Sequence, residues 1–189
     1  MRKIVYSLAV SLDGYFEGPN GELDWHRVDG ELHAHMNTRF REYSAFLTGR
    51  VTHDLMADHW PTADENPAST PEEVEFAAIW RDVPKIVYTR GTATSTAWNT
   101  TIRHEVDADE LRALKQQPGG DMVVGGPNLT AAFQALNLID EYTIYIHPVL
   151  VGNGNPAFLD TTLTTLDLVQ TKTFTNGVVL LHYRTPTTS

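Results

Sequence analysis

Cysteine is absent from the 189-residue chain, which excludes disulfides, CxxC redox chemistry and thiolate metal sites. Positive charge is scarce: 14 Lys and Arg stand against 24 Asp and Glu, giving a formal net charge of -10 and a pI near 5.1. Those cations are scattered, so the clustered basic face that a nucleic acid or anionic membrane needs is missing. No apolar run approaches the ~20 residues of a membrane-spanning helix. Met1-Arg2-Lys3 leads straight into Ile4-Val5-Tyr6 without an apolar leader or a small-residue cleavage site. A cytoplasmic protein with no membrane or nucleic-acid partner is expected. No GxGxxG follows the first strand, which argues against the usual doubly wound dinucleotide domain. Repeats and linkers are also lacking. With 41% hydrophobic residues the chain supplies one well-buried core, so one domain over 1–185 and a short tail over 186–189 are expected.

The chain is organised around the stretch from Asp121 to Phe158. Met122-Val123-Val124 is apolar without alternation, as a strand buried on both faces requires, and it stops at Gly125-Gly126. Pro127 suits a helix start, and Leu129, Ala132, Phe133 and Leu136 recur at helical spacing. Asn137 offers a stop, and 142–151 reads as a second strand. A right-handed crossover makes the two strands parallel and leaves the helix N-terminus at the carboxyl edge of the sheet. Two glycines there either make a plain tight turn or let a phosphate approach the free N–H groups.

Two more strand ends repeat that chemistry. The run Ala45-Phe46-Leu47-Thr48 ends on Gly49-Arg50-Val51-Thr52, where Thr52 caps a helix or donates to a phosphate and Arg50 offers a planar fork. The run Lys85-Ile86-Val87-Tyr88 ends on Thr89-Arg90, either a solvated turn or a phosphomonoester site. Elsewhere the pattern predicts a strand over 3–12, a helix over 30–43 capped by Asp29, a surface loop over 60–71, a helix over 72–80, a weak strand over 97–104 and a helix over 108–115. Residues 151–156 read as irregular. Asn176-Gly177 between β-rich runs signals a terminal hairpin. Trp25 sits in a turn-rich loop, where it either pins the loop to the core or lines a pocket. His33 and His35 fall on different helical faces, and no metal site is expected from them.

Taken together, the three strand ends hold the inventory for a pyrophosphate and a separate 2′-phosphate, and NADPH becomes the expected cofactor. Ser11-Leu12-Asp13-Gly14, Leu23-Asp24-Trp25, Leu47-Thr48-Gly49-Arg50-Val51-Thr52, Val123-Val124-Gly125-Gly126-Pro127 and Pro148-Val149-Leu150-Val151-Gly152-Asn153-Gly154 occur in an order that resembles the dihydrofolate reductase-like fold. The resemblance is strongest to the C-terminal reductase domain of bacterial riboflavin biosynthesis. It implies an α/β, three-layer domain with a central, mostly parallel sheet of about eight strands ending in an antiparallel hairpin. It implies NADPH phosphates on Gly49, Arg50, Thr52, Gly125 and Gly126 with Asn128 beside them, the 2′-phosphate on Thr89 and Arg90, and the nicotinamide against Ala9 and Val10. Relatives of this kind tend to form homodimers.

The departures concern the proton donor. Folate reductases carry a buried acid at the start of the first helix; here the nearest residues are Asp29 and Glu31, and Asp29 has a capping role available. Asp13, Trp25 and Glu31 are the candidate catalytic residues, in a substrate pocket expected between the 13–25 loop and the helix beginning near Asp29. The expected function is NADPH-dependent reduction of a small heteroaromatic or ribosylaminopyrimidine-type substrate. The alternatives are an NADP-binding regulatory protein without turnover and a true dihydrofolate reductase.

Overall fold

The opening run IVYSLAVS forms strand β1 (Ile4–Ser11), whose first three residues are wholly buried. In the computed structural model, which describes residues 1–91, 97–159 and 161–186, the chain continues through β2 (Tyr15–Glu17), α1 (Gly30–Glu42), β3 (Ala45–Gly49), α2 (Arg50–His59) and α3 (Pro71–Asp82). The second half comprises β4 (Lys85–Tyr88), β5 (Thr100–Arg103), α4 (Ala108–Gln116), β6 (Met122–Gly125), α5 (Pro127–Ala135), β7 (Glu141–His147), β8 (Asn155–Pro156), β9 (Asp167–Thr173) and β10 (Val179–Arg184). The main sheet has eight strands in the order β5-β4-β3-β6-β1-β7-β10-β9. The pairs from β5 to β7 are parallel, and the last two strands join antiparallel.

Three layers follow from the burial pattern. Val5, Phe46 and Val123 project from one face into a core closed by Phe76, Ile79 and Trp80 of α3 and by Tyr43. Ile4, Tyr6, Leu47 and Val124 project from the other into a core with Leu111 of α4 and Leu129 and Phe133 of α5. The helices begin where the sequence supplies caps. Asp29 accepts from Leu32 N at 2.9 Å, Thr70 and Glu73 form a reciprocal capping box ahead of α3, and Pro71 occupies its first turn. Asn137, at φ 54, ends the turn after α5.

Three segments differ from the sequence-based expectation. Within 60–71, Trp60–Glu65 forms a 3-10 helix with Pro61 and Ala63 buried. Pro61 serves there as a starter residue, and Arg81 of α3 grips the turn by donating to Pro61 O at 2.8 Å and to both carboxylate oxygens of Asp64. The strand predicted over 142–151 stops at His147, because Pro148 has no N–H to continue the ladder. Residues 151–156 are not wholly irregular: β8 pairs with β2 in a separate two-stranded ribbon. The expected tail from 186 falls mainly on 187–189, outside the described residues. Among the described residues no helix is long and apolar enough to cross a membrane.

Candidate cofactor and substrate site

The parallel register aligns the three glycine- or hydroxyl-bearing strand ends at one sheet edge. Thr48 lies beside Gly125 and Gly49 beside Tyr88, so the ends of β6, β3 and β4 are consecutive and span roughly 10 Å, two strand spacings. Neither α2 nor α5 has a side-chain cap, so their first N–H groups remain available at this edge. The two helix starts converge: Gly126 has φ 88, and a Cβ added to it would lie 3.0 Å from Thr52 Oγ1. Around Gly49 and Gly125 the corresponding space is open. Arg50 reaches Asp54 at 2.7 Å in an exposed i,i+4 pair, which contributes little to stability and is readily exchanged for a ligand anion.

At the third end Thr89 is buried and its hydroxyl accepts from Gly91 N at 3.1 Å, while Arg90 is exposed. Asn128 is exposed in the first turn of α5. In β1, Val10 packs into the core on the α4 and α5 side. Strand alternation puts half-buried Ala9 on the opposite side, with Ser7.

The candidate acids are tied up in loop and turn contacts. Asp13 accepts from Ser11 Oγ at 2.6 Å, Gly152 N at 2.7 Å and Val151 N at 3.1 Å, and the Ser11 hydroxyl foremost holds its carboxyl below the usual range. Glu31 accepts from Thr175 Oγ1 at 2.6 Å and Thr175 N at 3.0 Å, which likewise lowers its pKa and joins α1 to the hairpin turn. A proton donor needs the opposite shift. Asp13 and Glu31 therefore join loops in this fold, and neither carries the raised pKa of a ready proton donor.

Trp25 packs its loop against the end of β7. Its Nε1 donates to Glu22 O at 3.1 Å, and its ring packs edge-on against His26 and His147, at 4.2 and 5.8 Å between centroids. His147, buried at the end of β7, accepts from Arg27 N through Nδ1 at 2.9 Å. Burial pulls its pKa down to about 4, with His26 and Arg27 adding to the effect. Asn176 Nδ2 donates to Arg27 O at 2.8 Å from the hairpin side. These contacts draw the 13–27 loop toward β7.

An apolar cavity of about 180 Å³ lies instead among α1, α2, α3 and the sheet, lined by Phe40, Met56, Phe76 and Trp80 and reaching Thr52, Gly125 and Gly126. Proximity to Gly125 agrees with the sequence reading; the walls do not come from the 13–25 loop. Two residues that the sequence reading left unassigned also line it. His53 stacks on Trp80 at 5.9 Å, and burial lowers its pKa. Lys85 is buried, with Nζ donating to the carbonyls of Trp80, Val83 at 3.0 Å and Arg81 at 3.3 Å, beyond the end of α3. Nζ also lies 4.2 Å over the Trp80 ring, and burial pulls the ammonium down to about 8. Trp80 and Phe76 could have been paired from their i,i+4 spacing; nothing local marks Lys85, which heads an apolar strand. A wider cleft of about 760 Å³ on the opposite face has no carboxylate, imidazole or amine among its described lining residues.

A mostly parallel eight-stranded sheet with an antiparallel end, covered on both faces and carrying glycine turns at its carboxyl edge, defines a dihydrofolate reductase-like α/β domain. The chain belongs more narrowly to the RibD C-terminal domain family, whose model matches residues 2–180. It is 34% identical to the uncharacterized protein YyaP of Bacillus subtilis (strain 168) over 184 residues, covering 96% of this chain and 94% of that one. YwjB, an uncharacterized protein of the same organism, is 28% identical over 185 residues, covering 96% and 97%. Among solved structures, the fold matches a putative riboflavin biosynthesis protein from Shewanella sp. PV-4 with a TM-score of 0.73 at 20% identity, covering 99% of this chain and 100% of that chain. It matches a dihydrofolate reductase from Enterococcus faecalis, complexed with NADP(H), with a TM-score of 0.63 at 15% identity, covering 97% and 96%. A deaminase/reductase from Thermotoga maritima matches with a TM-score of 0.66 at 16% identity, covering 98% of this chain and 57% of that one.

Proposed function

We propose that the protein is a cytoplasmic, NADPH-dependent reductase of a small heteroaromatic or ribosylaminopyrimidine-type substrate. The carrying observation is the convergence of two uncapped helix N-termini at Thr52 and Gly126, with open backbone at Gly49 and Gly125 and Arg90 two strands away. Family membership and the NADP(H) complex of the Enterococcus faecalis neighbour support this reading. When bound, NADPH supplies the hydride. The N–H groups at Gly125 and Gly126 and the Thr52 hydroxyl hold the pyrophosphate, Arg50 and Asn128 flank it, and Thr89 with Arg90 take the 2′-phosphate. Ala9 and the Val10 backbone border the nicotinamide place, and the aromatic walls of the cavity exclude water from it. One observation favours binding without turnover, and equally disfavours a true dihydrofolate reductase: among the described residues no carboxylate lines the cavity.

Calorimetry is expected to show NADPH binding about ten- to hundredfold tighter than NADH, the worth of one charge-assisted contact, with the gap shrinking in Arg90→Ala. Equal affinities in the parent protein would remove Arg90 from the site. Absorbance of NADPH, followed with a panel of pterins, aminopyrimidines, quinones and nitro compounds, separates the reductase from the binding protein.

A homodimer is part of the same proposal. β9 closes the sheet with an open edge, and its Leu168 and Val169 are exposed. Such an edge invites pairing with a second copy. Light scattering is expected to give about twice the chain mass at micromolar concentration; a value near 21.1 kDa would exclude the dimer.

A further inference from the structure

On the reading that NADPH seats at the Gly125-Gly126 end of the cavity, we propose that the acceptor is a small, uncharged, single-ring aromatic compound with a hydrogen-bonding substituent, and not a phosphorylated nucleoside. Size is the first argument. Apolar cavities of roughly 150 Å³ take one benzene ring, and this one measures about 180 Å³.

The walls supply the second. Phe40 packs edge-on against Phe46 and Phe76, at 5.8 and 5.5 Å, and with Trp80 and Met56 these rings offer faces and edges suited to another ring. Two polar groups in the lining are unspent. Thr48 Oγ1 is buried without a partner, and the His53 imidazole makes no hydrogen bond among the described residues. A carbonyl, nitro or hydroxyl substituent matches them.

Charge supplies the third argument. Lys85 is the lining's one cation among the described residues, and its ammonium is spent on three backbone carbonyls. The arginines on the surrounding helices are also engaged, Arg39 with Tyr43, Arg41 with Glu75 and Arg81 with Asp64, and Arg50 is taken by the pyrophosphate on the proposed reading. A phosphate entering the cavity would be desolvated with no free cation among the described residues to meet it, a cost that an uncharged ring avoids.

The chemistry balances with the proposed cofactor. The acceptor gains a hydride from NADPH, carrying both electrons, and a proton from water, because the lining holds no carboxylic acid among the described residues. A nitroaromatic would leave as its nitroso compound with one water released, and the cofactor as NADP⁺.

The test is calorimetry on the full chain with a matched pair, 4-nitrobenzyl alcohol and 4-nitrobenzyl phosphate, after a separate NADPH titration. The alcohol is expected to bind at least about tenfold more tightly than the phosphate, a difference of ~1.4 kcal/mol, and Met56→Lys should close the gap by adding a cation to the wall. Phosphate binding that equals or exceeds the alcohol's in the parent protein overturns the proposal. NADPH binding with no alcohol binding overturns the aromatic-acceptor assignment alone. Alcohol binding without NADPH binding overturns the reductase reading and upholds the ligand class.

Discussion

Gly126→Val is expected to lose NADPH affinity by about a hundredfold or more and to lower folding stability by ~1–2 kcal/mol. Both effects come from one position. At φ 88 a residue with a Cβ is strained in the left-handed region, and the added atom would press on Thr52 Oγ1 at 3.0 Å, forcing the α2 and α5 starts apart. Gly125→Ala separates the two effects. Its φ is not positive and nothing lies within 4 Å of the new methyl group, so denaturant unfolding should match the parent while calorimetry shows weakened binding. A Gly125→Ala protein that binds NADPH as the parent does would take the turn out of the cofactor site.

Stability is expected to fall by roughly 3 kcal/mol as pH drops from about 6.5 to about 4, through His147. With a folded pKa of about 4 against the ordinary 6.5, the folded protein binds fewer protons than the unfolded chain inside that window. The contribution is therefore complete above the unfolded value and lost as pH falls through the folded one. Protonation would also turn Nδ1 from the acceptor of Arg27 N into a competing donor, releasing the loop that carries Trp25. His26, stacked at 5.2 Å, and Arg27 are the groups that oppose the charge. His147→Asn keeps an acceptor near the Nδ1 place without a titrating group, so its urea midpoints should flatten across the same window. Identical losses in variant and parent would assign the pH dependence elsewhere.

The elements whose signals are local were legible in the sequence. Asp29 before an apolar helical pattern, Val123-Val124 running into Gly125-Gly126, and Asn176-Gly177 between β-rich runs each gave an element at its observed place. The order of the phosphate-competent turns gave the fold. The 3-10 helix escaped because Pro61 reads as a breaker until Arg81, twenty residues on, is seen to hold it. The site was half legible for the same reason. Turn glycines announce themselves by conformation, whereas the cavity walls come from α1, α2, α3 and the sheet, and packing alone decides which of their aromatic residues face inward. Glu31 looked available because its partner, Thr175, lies more than a hundred residues away, and Asp13 because Gly152, which joins Ser11 on its carboxylate, is equally remote.

The chain enters and leaves the sheet at the edge opposite the glycine turns. Val5 of β1 and Arg184 of β10 both register with Glu141 of β7, and Thr185 N donates to Asp140 O at 2.9 Å. Any protein module spliced on at either point would hang below the sheet, leaving the edge with the glycine turns unobstructed. The architecture is thus ready-made for gene fusion, in keeping with the Thermotoga maritima protein, where this fold accounts for 57% of a longer polypeptide.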